Sequence, residues 1–156
     1  MPRILFLSFY YPPDLSAGSF RSFNLIKALV SKANPNLKID IITTYPNRYS
    51  SFNADTVEIE NENNLNIHRI DVGKHQGSIL KQINSFFTYA FASIKESQKY
   101  HYDLIFSTSG RLMTAVLGAY ISKKFKIPLY IDIRDIFVDT VKYVLPKPIF
   151  FFLCPI

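Results

Sequence analysis

Residues 3–30 read RILFLSFYYPPDLSAGSFRSFNLIKALV. The opening RILFLS is apolar without alternation, the pattern of a strand covered on both faces. From Ser19 to Ala33, the residues Phe20, Phe23, Leu25, Ile26, Leu29 and Val30 recur at helical spacing, with Ser16 or Ser19 available as N-cap. An ordinary connection between a strand and a helix takes about two to six residues. This one is longer, and it carries Tyr10, Tyr11, Pro12, Pro13, the Ala17-Gly18 step and then Arg21. A buried strand feeding a helix is the start of a βαβ unit, which places the connection at the carboxyl end of a parallel strand.

The same grammar repeats downstream. LKIDIITT (37–44) is a second strand, set off by Asn34-Pro35-Asn36. The polar stretch Tyr45 to Asn66 contains a short alternating piece, TVEIE, and is expected to be an exposed loop or edge hairpin. NIHRIDV (66–72) is a third strand, and Gly73 to Gly77 a turn. Ser78 to Tyr100 is a long helix with Ile79, Leu80, Ile83, Phe86, Phe87, Ala90, Phe91 and Ile94 on one apolar face, which is expected to pack on the core. DLIFST (103–108) is a strand ending in the tight turn Ser109-Gly110, Arg111 to Lys124 a helix, and PLYIDI (128–133) another strand. A short helix over 136–144 and an aromatic end at 147–153 follow. Strands of the buried type alternating with helices predict an α/β, Rossmann-like three-layer domain with a mainly parallel sheet.

The totals agree with one such domain: 156 residues, 48% hydrophobic and 19% charged. The single cysteine, Cys154, leaves no internal disulfide and suits a reducing cytoplasm. His68, His75 and His101 show no ligand spacing, so no metal site is expected. The net charge is +6, concentrated in residues 74–126. Such a surface attracts phosphates or an anionic membrane. With no lysine-rich tail and no nucleic-acid module in the chain, nucleic acid is not an expected partner. No apolar run approaches the roughly 18 residues of a membrane span.

In an open parallel sheet, ligands bind at the carboxyl ends of the strands. Three loaded segments lie there. Ala17 and Gly18 open the first helix, where free N–H groups favour anions, and Arg21 adds a fork of donors in its first turn. Ser109 and Gly110 form a turn of small residues that either caps a helix or meets a ligand. Arg134 and Asp135 close the last strand, with Asp132 on the same side of that strand as Arg134. Neither G-x-G-x-x-G nor the P-loop pattern occurs, and G-x-S-x-G is missing, so nicotinamide enzymes, phosphate-cradling NTPases and nucleophile-elbow hydrolases are not supported.

The segments ILFLSFYYPPDLSAGSFRSFNLIKAL and YDLIFSTSGRLMTAVLGAYISKKFKIPLYIDIRDIFVDT resemble two segments of the N-terminal domain of glycosyltransferase family 4 enzymes. Those begin with a strand, an aromatic-Pro-Pro turn, a glycine loop and an Arg, and later carry an Arg-Asp-aromatic element, here RDIFVDT. Ala17 stands where a second glycine is common, and Phe137-Val138 where Trp-Pro is common.

The resemblance implies the N-terminal, acceptor-side half of a GT-B fold, with residues 1–156 forming one domain. It implies retaining transfer from a nucleotide sugar, in bacterial capsule or O-antigen synthesis, to a sugar or lipid-linked acceptor, with no metal and no cofactor. The donor would be held mainly by a C-terminal domain not included in these residues, so the 156-residue chain alone is expected to be inactive. Gly18 and its loop would approach the donor diphosphate and the acceptor, and Arg134 with Asp135 would line the acceptor side, Asp135 being the candidate catalytic residue. Location in the cytoplasm, peripheral on the inner face of the plasma membrane, goes with this reading, and contact with an anionic membrane is then the alternative to core packing for the basic, aromatic helix Ser78 to Tyr100 and for KPIFFFL near the end. Its alternative is a non-catalytic Rossmann-like module that binds a phosphorylated or lipid-linked ligand.

Overall fold

The parallel β-strand β1 (Arg3–Leu7) lies at the middle of a six-stranded sheet in the computed structural model, which describes residues 1–32, 36–47, 56–62, 64–73 and 79–134. The chain continues through α1 (Ala17–Lys32), β2 (Lys38–Thr44), β3 (Ile59–Glu62) and β4 (Leu65–Ile70). It then forms α2 (Ile79–Glu96), β5 (Leu104–Thr108), α3 (Leu112–Phe125) and β6 (Leu129–Asp132). The strand order is β3-β4-β2-β1-β5-β6, parallel except for β3, which pairs antiparallel with β4 at the edge. The edge hairpin expected around TVEIE is therefore present, with Ile59 opposite His68. The expected helix at 136–144 and the aromatic end at 147–153 lie outside the described residues.

The lack of alternation in β1 has a direct cause. Leu5 and Leu7 enter one core with Tyr89, Leu117 and Ile121, while Phe6 enters the other with Ile26, Ile39 and Phe106. One face of the sheet thus carries α1, and the opposite face carries α2 and α3. The helix changes face because the chain leaves β1 toward β2 but leaves β5 toward β6, and right-handed crossovers in opposite directions use opposite faces. The gap between the carboxyl ends of β1 and β5 is the switch point of the sheet.

Small residues set the helix-to-sheet distances at this point. Ser19 and Ser22 are buried under α1, and the Ser8 and Ser22 hydroxyl oxygens meet at 3.1 Å. On the other face, a Cβ on Gly118 would stand 2.7 Å from the Ser107 Cβ, so α3 can sit this close to β5 only with glycine there.

The apolar stripe of α2 departs from expectation. Leu80, Ile83, Phe87 and Phe91 are exposed, Phe91 by 71%. The buried side of the helix is instead Ser85, Tyr89, Ala90 and Ser93, with Phe86 and Ile94 partly buried beside it. Tyr89 is fully buried, its hydroxyl donates to the Ile42 carbonyl oxygen, and burial pushes its pKa above the usual tyrosine range. Two serines, Ala90 and the anchored Tyr89 fill the sheet-facing side of α2, and Leu80, Ile83, Phe87 and Phe91 face outward.

Candidate functional site

A cavity of about 460 Å³ opens at the switch point, lined by Tyr10, Ser16, Ala17, Gly18, Arg21, Gly110, Ile133 and Arg134. Five of the residues expected from sequence, Ala17, Gly18, Arg21, Gly110 and Arg134, therefore share one wall system. They come from three loops that are far apart in the chain and meet because β1, β5 and β6 are neighbours.

The first wall is the start of α1. Ser16 is the cap: its Oγ accepts the Ser19 backbone N–H at 3.1 Å, and its carbonyl oxygen accepts from Ser19 and Phe20. Ala17 and Gly18 follow at the cavity wall, at the end of the helix where N–H groups lack intrahelical acceptors. The loop leading there is pinned at its far side. The Pro12 carbonyl oxygen accepts from Arg69 at 3.0 Å, and the Asp14 carboxylate accepts the Asn47 backbone N–H.

The second wall is the Arg134 guanidinium. A Cβ on Gly18 would stand 2.5 Å from its Nη1, and one on Gly110 would stand 3.3 Å from the same atom. The two glycines are thus the slot in which this guanidinium lies. Its backbone N–H donates to Ser109 Oγ at 2.8 Å, and its Nη2 donates to Ser22 Oγ at 3.0 Å. Ser109 is buried and supports Arg134 from behind instead of lining the cavity, and it is not a helix cap. The N-cap of α3 is Arg111, without a side-chain capping bond.

Asp132 joins the two arginines. Arg21 donates to it in a bidentate pair, Nε at 3.0 Å and Nη2 at 2.8 Å, and Arg134 Nε donates at 3.2 Å. The hydrogen bonds from Arg21 hold the Asp132 carboxyl below the usual aspartate range, partial burial opposes this, and Arg134 adds to the lowering. The pairing raises the Arg21 pKa in turn. One carboxylate between two guanidinium groups leaves the cluster with a net positive charge beside a helix N-terminus. The Arg21 side chain is 61% exposed, so its outer donors reach solvent in the cavity mouth.

Tyr10 forms the remaining rim, and its hydroxyl oxygen accepts from Arg111 Nε and Nη2 at 3.1 and 2.8 Å. The Arg111 guanidinium carbon sits 4.1 Å from the Phe9 ring centre, which fixes that rim from below. Tyr10, Ser16 and Ile133 were not among the candidate site residues read from the sequence, although Ser16 was one of the two candidate caps and Tyr10 lies with it in the overlong connection that pointed to the site. Asp135, expected beside Arg134, lies outside the described residues.

A six-stranded, mainly parallel sheet with its cavity at the switch point defines an α/β domain of the Rossmann-like kind used in GT-B glycosyltransferases. Among solved structures, the chain is similar to a sucrose-phosphate synthase from Thermosynechococcus elongatus, a GT-B glycosyltransferase, with a TM-score of 0.65 at 12% identity. The similarity covers 95% of this chain and 37% of that one. At that identity the likeness establishes the fold. No family model matches the sequence, and no curated protein matches it.

Proposed function

We propose that the chain forms the N-terminal, acceptor-side half of a retaining, nucleotide-sugar-dependent glycosyltransferase of family 4 type. The observation that carries this reading is the arginine slot: Gly18 and Gly110 admit the Arg134 guanidinium to the cavity wall, beside Arg21 and the α1 N-terminus. In sugar transfer, the bond from the anomeric carbon to the donor diphosphate breaks as an acceptor hydroxyl oxygen bonds to that carbon. Negative charge then gathers on the departing diphosphate, and guanidinium and helix N–H groups stabilise such charge. The fold of a GT-B neighbour that is longer than this chain supports a two-part site, with this cavity as one wall.

On this reading a second domain holds the nucleotide sugar, and the acceptor is a saccharide or lipid-linked saccharide of bacterial capsule or O-antigen synthesis. The protein works at the cytoplasmic side of the membrane. A purified 156-residue chain is expected to turn over no nucleotide sugar. A protein carrying the chain joined to its donor-binding half is expected to transfer sugar, and Gly18→Val is expected to abolish transfer while the circular dichroism of the 156-residue chain is preserved. Full activity of the Gly18→Val protein would show that the slot is structural only. Turnover by the 156-residue chain would show that the two-part reading is wrong.

A further inference from the structure

We infer that Asp132 is an internal competitor for the anion that the switch-point cavity takes, a carboxylate latch that a diphosphate must open to gain the Arg21 fork. This rests on the reading of the cavity as a diphosphate site and adds a gate to it. Among the described residues, the hydrogen bonds of the exposed Arg21 side chain both go to Asp132, from Nε at 3.0 Å and from Nη2 at 2.8 Å. That pair ties the start of α1 to the last residue of β6. A carboxylate and a diphosphate present the same feature to a guanidinium, two oxygens at the spacing of its fork. Only one of them can hold this edge of Arg21 at a time. The hydrogen bonds from Arg21 keep the Asp132 carboxyl below the usual aspartate range, so the competitor is a full negative charge at neutral pH.

The neighbouring guanidinium is held differently, and the difference assigns the moving part. Arg134 has supports besides Asp132: its Nη2 donates to Ser22 Oγ, its backbone N–H donates to Ser109 Oγ, and its Nη1 lies against Gly18 and Gly110. Ser22 is itself fixed, its Oγ donating to the Gly18 carbonyl oxygen at 2.9 Å and meeting Ser8 Oγ at 3.1 Å. The Arg134 side chain is only 12% exposed, so it keeps its place when Asp132 is neutralised. Arg21 stands on the outside of α1 with a solvated side chain, so it is the arginine that exchanges partners. Its outer donors meet the ligand at the cavity mouth, and its full fork comes over only when the pair with Asp132 opens. An exposed ion pair is weak enough for a multiply charged ligand to open. Asp132 therefore subtracts from affinity while it holds Arg21 ready at the rim.

The test is titration of the isotope-labelled 156-residue chain with inorganic pyrophosphate, followed by nuclear magnetic resonance, in the parent, Asp132→Asn, Arg21→Gln and the double variant. Asp132→Asn is expected to tighten pyrophosphate binding by about two- to fivefold, the scale of one exposed ion pair no longer given up. With Arg21→Gln in place the same change should bring little or no gain, because no fork is left to release. In the parent, the Arg21 Nε–H and the Asp132 carboxyl carbon should shift together as the Gly18 amide saturates. That measurement reads the opening of the pair without a substitution, so it decides the matter even where a variant unfolds. Equal or weaker binding by Asp132→Asn would overturn the inference, since a carboxylate that only positions the arginines helps the ligand. A gain as large with Arg21→Gln as without it would overturn it too, by assigning the effect to charge repulsion across the cavity. So would saturation at Gly18 with the Arg21 Nε–H unmoved. These three results leave the cavity reading standing, whereas absence of saturable shifts in the parent and in every variant would overturn both.

Discussion

The two ends of the sheet each carry an aspartate bound by arginine, and the contrast between them separates structure from site. At the amino end, Asp40 is buried and accepts four hydrogen bonds: two from Arg3, one from Asn66 and one from the Tyr102 hydroxyl. The Arg3 guanidinium lies 3.4 Å from the Tyr100 ring centre, which shields its other side. Tyr102 is pushed above the usual tyrosine range by burial and by Asp40, so it stays a proton donor. At the carboxyl end, Asp132 is shared by two arginines, one of them mostly exposed, and both face a cavity. The first cluster satisfies itself. The second has donors to spare and an opening beside them. An Arg–Asp pair therefore says little about function until burial and satisfaction are known.

Breaking the closed cluster should have the largest effect. Asp40→Ala leaves the largely buried Arg3 without its carboxylate and is expected to destabilise the fold by about 3–5 kcal/mol, read from urea unfolding. Asp132→Ala should cost less stability, because Arg21 is free to turn to water, and Arg134, although its side chain is as buried as that of Arg3, borders the cavity and keeps its hydrogen bond to Ser22 Oγ. Equal losses in the two variants would remove the distinction between the ends.

The glycines give the next test. Gly118→Ala places a methyl against Ser107 Cβ in the packed interface of α3 and β5 and is expected to cost about 1–3 kcal/mol. Gly18→Ala clashes with the movable Arg134 guanidinium and comes no nearer than ordinary contact to Ser16 Oγ, so the loss should appear in ligand binding more than in the unfolding midpoint. A midpoint that falls as far for Gly18→Ala as for Gly118→Ala would sink the slot interpretation.

The smallest effect is in pH. The folded-state pKa of Asp132 is depressed, so its pairing stabilises the fold above the ordinary aspartate pKa of about 3.9, and that contribution is lost as pH falls through the depressed value. Asp132→Asn should lower the neutral plateau by the small amount that the pairing contributes, so that the acid limb is flatter and the two proteins converge below the depressed pKa. An acid limb identical to the parent's would show that the pairing carries no stability.

Much of this was legible in the sequence, and the residues show why the rest was not. Strand β1 announced its burial on both faces through RILFL, and the overlong connection marked the cavity because ordinary joins are shorter. Arg21 and Asp132 are 111 positions apart, so their pairing depends on β6 lying beside β5 and on α1 reaching over that end of the sheet. The roles of Gly18 and Gly110 become visible only when both are found against one Arg134 nitrogen. For α2, periodicity showed that one side was apolar, yet it could not show that the sheet would take the serine and tyrosine side.

The most direct test of the central claim, that the switch-point cavity holds a phosphate-bearing ligand, is nuclear magnetic resonance of the labelled chain titrated with inorganic pyrophosphate. Saturable shifts of the Gly18 and Gly110 amides and of the Arg134 Nε–H are expected, all lost in Gly18→Val. Shifts confined to the surface lysines of α2 and α3, or cavity shifts that persist unchanged in Gly18→Val, would contradict it.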